Sequence, residues 1–149
     1  MPFRCEIVTQ DRKLYDGPAD MVVVPGTEGL MGILPHHAPL LSTLDFGVLT
    51  VRYQGEEELF TIAGGIIEVL PDAVTVLADS GEHVAEIDEQ RAESARRRAE
   101  ELLAKGPPPD PDAYLAIQAA LRRSNLRLKV ARKQRSHGPP PGRSPQGRN

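Results

Sequence analysis

The chain is poor in the residues that most binding and catalytic sites are built from. Its 149 residues include no tryptophan, three phenylalanines, three tyrosines and one cysteine. A lone Cys5 excludes an internal disulfide and fits a reducing compartment. Few aromatics leave the core to Val, Ile and Leu, and they disfavour nucleic-acid binding, as does the acidic first half. No basic-then-apolar leader opens the chain and no long apolar run follows. The expected place is the cytosol or the surface of something membrane-bound. No Ser-His-acid or Cys-His arrangement and no metal spacing emerges, so catalysis by the isolated chain is not expected. Acidic residues stop at Asp112.

What is present is unevenly spread. Residues 1–86 hold four Lys/Arg against fourteen Asp/Glu, a net charge of −10, whereas residues 87–149 hold fourteen against seven, a net of +7. Such asymmetry predicts two functional parts.

The first part centres on Val24 to Leu41, which packs three glycines and three prolines among apolar residues. Punctuation that dense predicts tight turns joined by very short strands, folded onto a β core. Gly26, Gly29 and Gly32 are candidates for positive φ. The glycines fit neither a Walker-type nor a dinucleotide-binding loop. Adjacent residues of an extended chain point to opposite faces, so His36-His37 suits a turn or an interface better than one metal ion. Around this stretch Phe3, Cys5 and Ile7 alternate with polar residues, as in a half-buried strand. Turns are expected at Asp16-Gly17-Pro18, Gln54-Gly55 and Pro71-Asp72, with a bend or bulge at Gly64-Gly65. Strands are expected over Ala19 to Val24, Val48 to Tyr53, Glu57 to Ala63, Ile66 to Leu70 and Val74 to Ala78. Many short strands at this spacing indicate a β-sandwich or flattened barrel, ending near Asp79 to Val84.

From Asp88 onward strong helix formers replace β-branched residues. Asp88 is placed to be an N-cap. Ala92, Ala95, Ala99 and Leu102 form a narrow apolar seam, and Glu93 to Arg97 is an i,i+4 pair of favourable order, worth ~0.3 kcal/mol. Gly106-Pro107-Pro108-Pro109 ends this helix, and Asp110 or Asp112 caps a second. Tyr114, Ile117, Leu121, Leu128 and Ala131 form one stripe, with Ser124 in the gap. Leu115, Ala119, Leu126 and Val130 form another. Two helices joined by so short a connection predict an antiparallel hairpin. The second is strongly basic, from Arg122 to Arg135. It suits a solvated face, phosphates or an acidic protein surface, and the charge contrast favours a protein partner or the chain's own acidic half. Residues 136–149 read as a disordered Pro/Arg-rich tail.

The run Gly32-Ile33-Leu34-Pro35-His36-His37-Ala38-Pro39-Leu40 resembles the epsilon subunits of bacterial F-type ATP synthases. The similarity continues through Ala63-Gly64-Gly65-Ile66-Ile67-Glu68-Val69, Val74-Thr75-Val76-Leu77-Ala78 and Ile87-Asp88-Glu89-Gln90-Arg91-Ala92, covering about residues 3 to 135. The resemblance implies an all-β sandwich of about ten short strands over residues 1–86, then an antiparallel two-helix regulatory hairpin over 87–135. It implies a rotor component rather than an enzyme, coupling proton-driven rotation to ATP synthesis. The implied partners are the gamma subunit, the c-subunit ring and, through the basic helix, the catalytic alpha and beta subunits. The implied location is peripheral, at the cytoplasmic face of the bacterial cell membrane.

For the docking surface the resemblance points to Gly29, Leu30, Met31, His37 and Pro39. Many relatives carry an acid where Leu30 stands, which puts a charged contact there in doubt. For ATP, a regulatory ligand rather than a required cofactor, it points to Glu82, Asp88, Arg91, Ala92, Arg98, Arg123 and Arg127. Acids would accept from adenine or ribose, and arginines would pair with phosphate oxygens. A plainer reading makes Asp88 only an N-cap and Arg91 only a partner of Glu86 or Asp88. The resemblance also implies that the hairpin brakes ATP hydrolysis when extended. The alternatives from other classes are a small β-barrel metal-binding enzyme with His36-His37 in its pocket, and a free-standing interaction adaptor with a helical arm.

Overall fold

The computed structural model describes residues 1–137, with side chains through residue 133. Eight strands come first: β1 (Phe3–Val8), β2 (Lys13–Ala19), β3 (Met21–Gly26), β4 (Gly29–Ile33), β5 (Leu40–Tyr53), β6 (Glu56–Leu70), β7 (Ala73–Ala78) and β8 (Gly81–His83). A single 3-10 turn (Val84–Glu86) leads to α1 (Glu89–Ala104) and α2 (Pro111–His137). The tail expected from residue 136 falls, from residue 138 on, outside the described residues.

The strands run in the order β2-β1-β7-β6-β5-β3-β4, with β8 on β6. Neighbours are antiparallel except β1 and β7. The architecture is the expected open sandwich, with eight strands where the resemblance implied about ten. The reason lies in β5 and β6, which pair along almost their whole length, from Leu40 opposite Val69 to Tyr53 opposite Glu56. Gly47 and Gly64-Gly65 punctuate the sequence without ending these strands, and only Asp45 and Gly64 are left unpaired in an otherwise constant register. Gly64 and Gly65 take φ of 88° and 145°. A Cβ on Gly65 would lie 2.3 Å from the Leu77 carbonyl oxygen, so only glycine fits. Before the bend β6 carries β8 on its free side, and after it β7, so the sheet folds over at the two glycines.

Alternation decides which side chains meet inside. Cys5 and Ile7 from β1, Val22 and Val24 from β3, Leu49 from β5, Phe60, Ile67 and Val69 from β6, and Val76 from β7 are fully buried in one cluster. Each such aliphatic side chain contributes roughly 1.5–3 kcal/mol. Cys5 sits beside Phe3 and Ile7 as expected, and burial pushes its thiol up to about 12, with Asp16 and Glu6 adding to the shift.

Three local expectations change. Asp16-Gly17-Pro18 lies inside β2, not in a turn; β2 is an edge strand, where a proline's missing N–H costs no ladder bond. Asp20 separates β2 from β3, so the strand expected over Ala19 to Val24 begins at Met21. Gly29 alone of its trio has positive φ, at 129°, while a Cβ on Gly32 would meet the Met21 Cε at 2.7 Å. The turn at Gln54-Gly55, with φ of 51° and 79°, and the hairpin closed by Leu70 opposite Ala73 stand as expected.

Asp88 caps α1, its Oδ1 accepting from the Gln90 and Arg91 N–H groups at 3.0 and 3.1 Å. Asp110 caps α2, accepting from the Asp112 N–H at 3.0 Å. The helices pack as the expected hairpin over Ala92 and Ala99 of α1 and Ser124, Leu128 and Ala131 of α2. Leu102, expected in the seam, is 45% exposed. Seven residues make slightly less than two helical turns, so a stripe through Ala92 and Ala99 continues at Leu103, which is half-buried. The second stripe of α2 divides. Leu115 and Ala119 face outward, whereas Leu126 is half-buried and Val130 buried.

Candidate functional site

Two surfaces hold the residues singled out from the sequence. The first lies at the tip of β3 and β4. Gly29's left-handed backbone turns the chain at Thr27-Glu28 and presents Leu30, 76% exposed, beside half-buried Met31. A shallow groove of about 610 Å³ runs from these residues to Leu41, Thr43 and Ile66. Following β4, His36 adopts φ 65°, and the His37 Nδ1–H donates to the Ala38 carbonyl at 2.7 Å, with Pro39 exposed beyond. With the His36 N–H donating to the Pro71 carbonyl at 3.1 Å and the His37 N–H to the Leu34 carbonyl at 3.2 Å, these bonds hold the corner in one shape.

Leu41, Ile66 and Leu77 extend this surface over the outer face of the sheet. Thr43, Ile66 and Leu77 stand opposite one another across β5, β6 and β7, and the three leucine and isoleucine side chains are 71%, 45% and 54% exposed. Exposed apolar side chains gathered on one face make it a candidate interaction surface. Sequence reasoning did not single out these three. The signal was the doublets Leu40-Leu41 and Ile66-Ile67, since two adjacent apolar residues of a strand cannot both face inward.

The second surface is the rim where the hairpin meets the sandwich. Beside β8, α2 brings Arg123, Leu126 and Arg127 over Phe46, Thr61, Ile62 and Glu82, leaving a cleft of about 220 Å³. Arg127 reaches the Glu82 carboxylate with both Nε and Nη2, the second bond at 3.3 Å. The Arg122 guanidinium lies 5.3 Å over the Phe46 ring. Beneath the rim His83 is almost enclosed. Its Nδ1 accepts from the Ala85 N–H at 3.0 Å, so Nε2 carries the proton toward Glu58 at 3.3 Å, and its ring stands edge-on to Phe60.

The remaining residues of the ATP set are dispersed. The Asp88 carboxylate is engaged in capping. Ala92 is fully buried between the helices. Arg91 and Arg98 are exposed, two turns apart on one face of α1, and make no ion pair among the described residues. Glu86, weighed as a partner for Arg91, is bound by Arg12 at 2.6 Å. Thus the fold gathers Glu82, Arg123 and Arg127 at one cleft and leaves Asp88, Arg91 and Arg98 along α1. Phe46 was missed, because nothing in the local sequence ties it to a helix 76 residues away. Among the described residues no group of three or more His, Cys, Asp or Glu side chains is placed to hold a metal, and no helix is long and apolar enough to cross a membrane.

The chain is thus an eight-stranded sandwich with exposed apolar side chains on its outer face and a helical hairpin on its rim. Two family models match the chain. The one described as ATP synthase, Delta/Epsilon chain, beta-sandwich domain covers residues 2–84, and the one described as ATP synthase, Delta/Epsilon chain, long alpha-helix domain covers residues 85–132. The chain is 46% identical over 140 residues to the ATP synthase epsilon chain of Dehalococcoides mccartyi strain CBDB1, spanning 90% of this chain and 95% of that one. It is 47% identical over 130 residues to the epsilon chain of Syntrophobacter fumaroxidans, spanning 87% and 96%. A chain in the cryo-EM structure of the Euglena gracilis mitochondrial ATP synthase (OSCP/F1/c-ring, rotational state 1) shares the fold, with TM-score 0.72 and 24% identity over 89% of this chain and 82% of that one. The chain belongs to the ATP synthase delta/epsilon family, as an epsilon-type central-stalk subunit of the F-type enzyme, a non-catalytic part of that rotary machine.

Proposed function

We infer that residues 1–86 are the docking body of the central stalk and residues 87–135 a detachable regulatory arm. The observation that carries this reading is the composition of the core. Among the described residues every member of the buried cluster lies between Phe3 and Ala78, and no helical residue belongs to it. The hairpin can therefore leave the rim without opening the body. The body would dock through Gly29, Leu30, Met31, His37 and Pro39 and the apolar face beside them. Its partners would be the gamma subunit and the c-subunit ring, at the cytoplasmic face of the bacterial membrane. Exposed Leu30 would make that contact apolar rather than charged. The arm, freed from the rim, would offer the basic face of α2 to acidic surfaces of the catalytic alpha and beta subunits and slow ATP hydrolysis. Removing residues 110–149 from the assembled enzyme is expected to raise hydrolysis several-fold while assembly is spared. An unchanged hydrolysis rate under every nucleotide condition refutes the brake.

A second reading concerns ATP as a regulatory ligand, and the cleft of Glu82, Arg123 and Arg127 favours it. Arginines there suit phosphate oxygens. At ~100-fold over its Kd a ligand of the folded arm adds roughly 2.7 kcal/mol to that state. Calorimetric titration of the purified chain tests this, and no heat up to millimolar ATP rules it out.

A further inference from the structure

We propose that the arm is fastened to the body without any ligand, by a two-point arginine latch: Arg127 on the Glu82 carboxylate and Arg122 on the face of Phe46. The proposal rests on the reading of the hairpin as a detachable arm.

The helix geometry makes the latch possible. On α2, Ile117, Ser124, Leu128 and Ala131 face α1. Arg122, Arg123, Leu126 and Arg127 fall on an adjacent stripe that overhangs β6 and β8. What this stripe meets is a rim, not a core. Its apolar part is Leu126 beside Ile62, half-buried Phe46 and, further along the stripe, buried Val130, while the 3-10 turn that α2 also contacts holds Val84, buried outside the body's core cluster. Apolar cover of this kind is not directional, so the polar side-chain contacts fix the docked position. Arg127 and Glu82 are suited to that. Both side chains are three-quarters enclosed, at 25% and 22% exposure, and two N–H groups meet one carboxylate. A paired, partly enclosed guanidinium–carboxylate contact is stronger than a solvent-exposed one. Arg122 over Phe46 adds a second point five residues back along α2, where the guanidinium meets the ring's negative face.

The latch also changes what a nucleotide would do. Glu82 and Arg127 satisfy one another, so a phosphate approaching Arg127 has to open this pair. Nucleotide would then replace one fastening with another, and the arm would fold before ATP arrives.

The test uses the full chain freed of nucleotide, with nitroxide labels on cysteines placed at exposed Gln54 and Gln118. Buried Cys5 stays in place and does not react. Pulsed spin-resonance distances separate docked from undocked arms. The wild type is expected to show mainly the short distance, and ~0.5 M salt to enlarge the long-distance population by weakening the ion pair. Glu82→Gln and Arg127→Gln should each raise the undocked-to-docked ratio about tenfold, and the double variant no further, as for two halves of one contact. The exchanged pair, Glu82→Arg with Arg127→Glu, should restore docking. Phe46→Leu should raise the ratio about threefold and add to the effect of Arg127→Gln. A mainly undocked wild type, single variants with unaltered distances, or an exchanged pair as open as the single variants overturns the latch. Circular dichroism on the same samples confirms that body and helices remain folded. Hydrolysis by the assembled enzyme lacking residues 110–149 reads the arm separately. A failed latch with raised hydrolysis leaves the arm reading standing, and unchanged hydrolysis with a working latch removes the brake alone.

Discussion

Phe60, Ile67 and Val69 in the body and Ala92 and Ala99 in the arm are all at most 4% exposed, yet they achieve burial differently. In the body large side chains from β1, β3, β5, β6 and β7 fill one space, and burial itself holds the sheets together. In the arm Ala92, Ala99, Ser124 and Ala131 bring two helices close around Leu128, and the buried side chains are fewer and smaller than in the body. Ion pairs take up the difference. Glu93 is bound by Arg96, by Arg97 at 3.3 Å and, across to α2, by Arg132 at 3.5 Å. A region built by burial unfolds as a whole, whereas one built on small residues and charges can be loosened alone.

Four perturbations sharpen this contrast. Phe60→Ala removes the largest fully buried side chain and is expected to cost the body about 4 kcal/mol in chemical denaturation, with the arm lost along with it. Ala92→Leu overfills the helix seam and should cost roughly 1–3 kcal/mol, confined to the arm; helical ellipticity melts earlier while the β transition stays in place. Asp88→Ala leaves the Gln90 and Arg91 N–H groups without their acceptor, and should cost ~1 kcal/mol with faster amide exchange in the first turn of α1. The smallest effect is acid loosening of the arm. The hydrogen bond from Arg96, with Arg97 assisting, holds the Glu93 carboxyl below its ordinary 4.5. A depressed carboxylate stabilises the fold above its unfolded value, and the contribution disappears as pH falls through the folded value. Helical ellipticity of the wild type should therefore decline below about pH 4.5 more than that of Glu93→Gln.

Much of this organisation was legible in the residues. Alternation gave β1 and its buried face, the residue preferences of caps and turns gave Asp88, Gln54-Gly55 and Pro71-Asp72, and the switch from β-branched to helix-forming residues separated body from arm. The departures share a cause. Gly47 and Gly64-Gly65 are local chain-breakers, but pairing over thirteen registers carries β5 and β6 through them. The edge position of β2 likewise admits a proline that a central strand would refuse. At the candidate site, resemblance pointed to Glu82 and Arg127 but not to their contact with one another. Neither the Phe46–Arg122 contact nor the Glu58–His83 pair leaves a local trace, because each joins positions far apart in sequence.

The bend at Gly64-Gly65 makes β6 common property of the two working surfaces. Residues 60–62 hold β8, whose Glu82 meets the arm, and residues 65–70 hold β7, whose Leu77 lies on the apolar face. One unbroken polypeptide and its hydrogen-bonded ladders join that face to the arm's seat, so a torque applied at the proposed docking face would reach the arm with no sliding joint between. On the proposed reading, the seat of the shaft and the perch of the brake would thus be mechanically one piece.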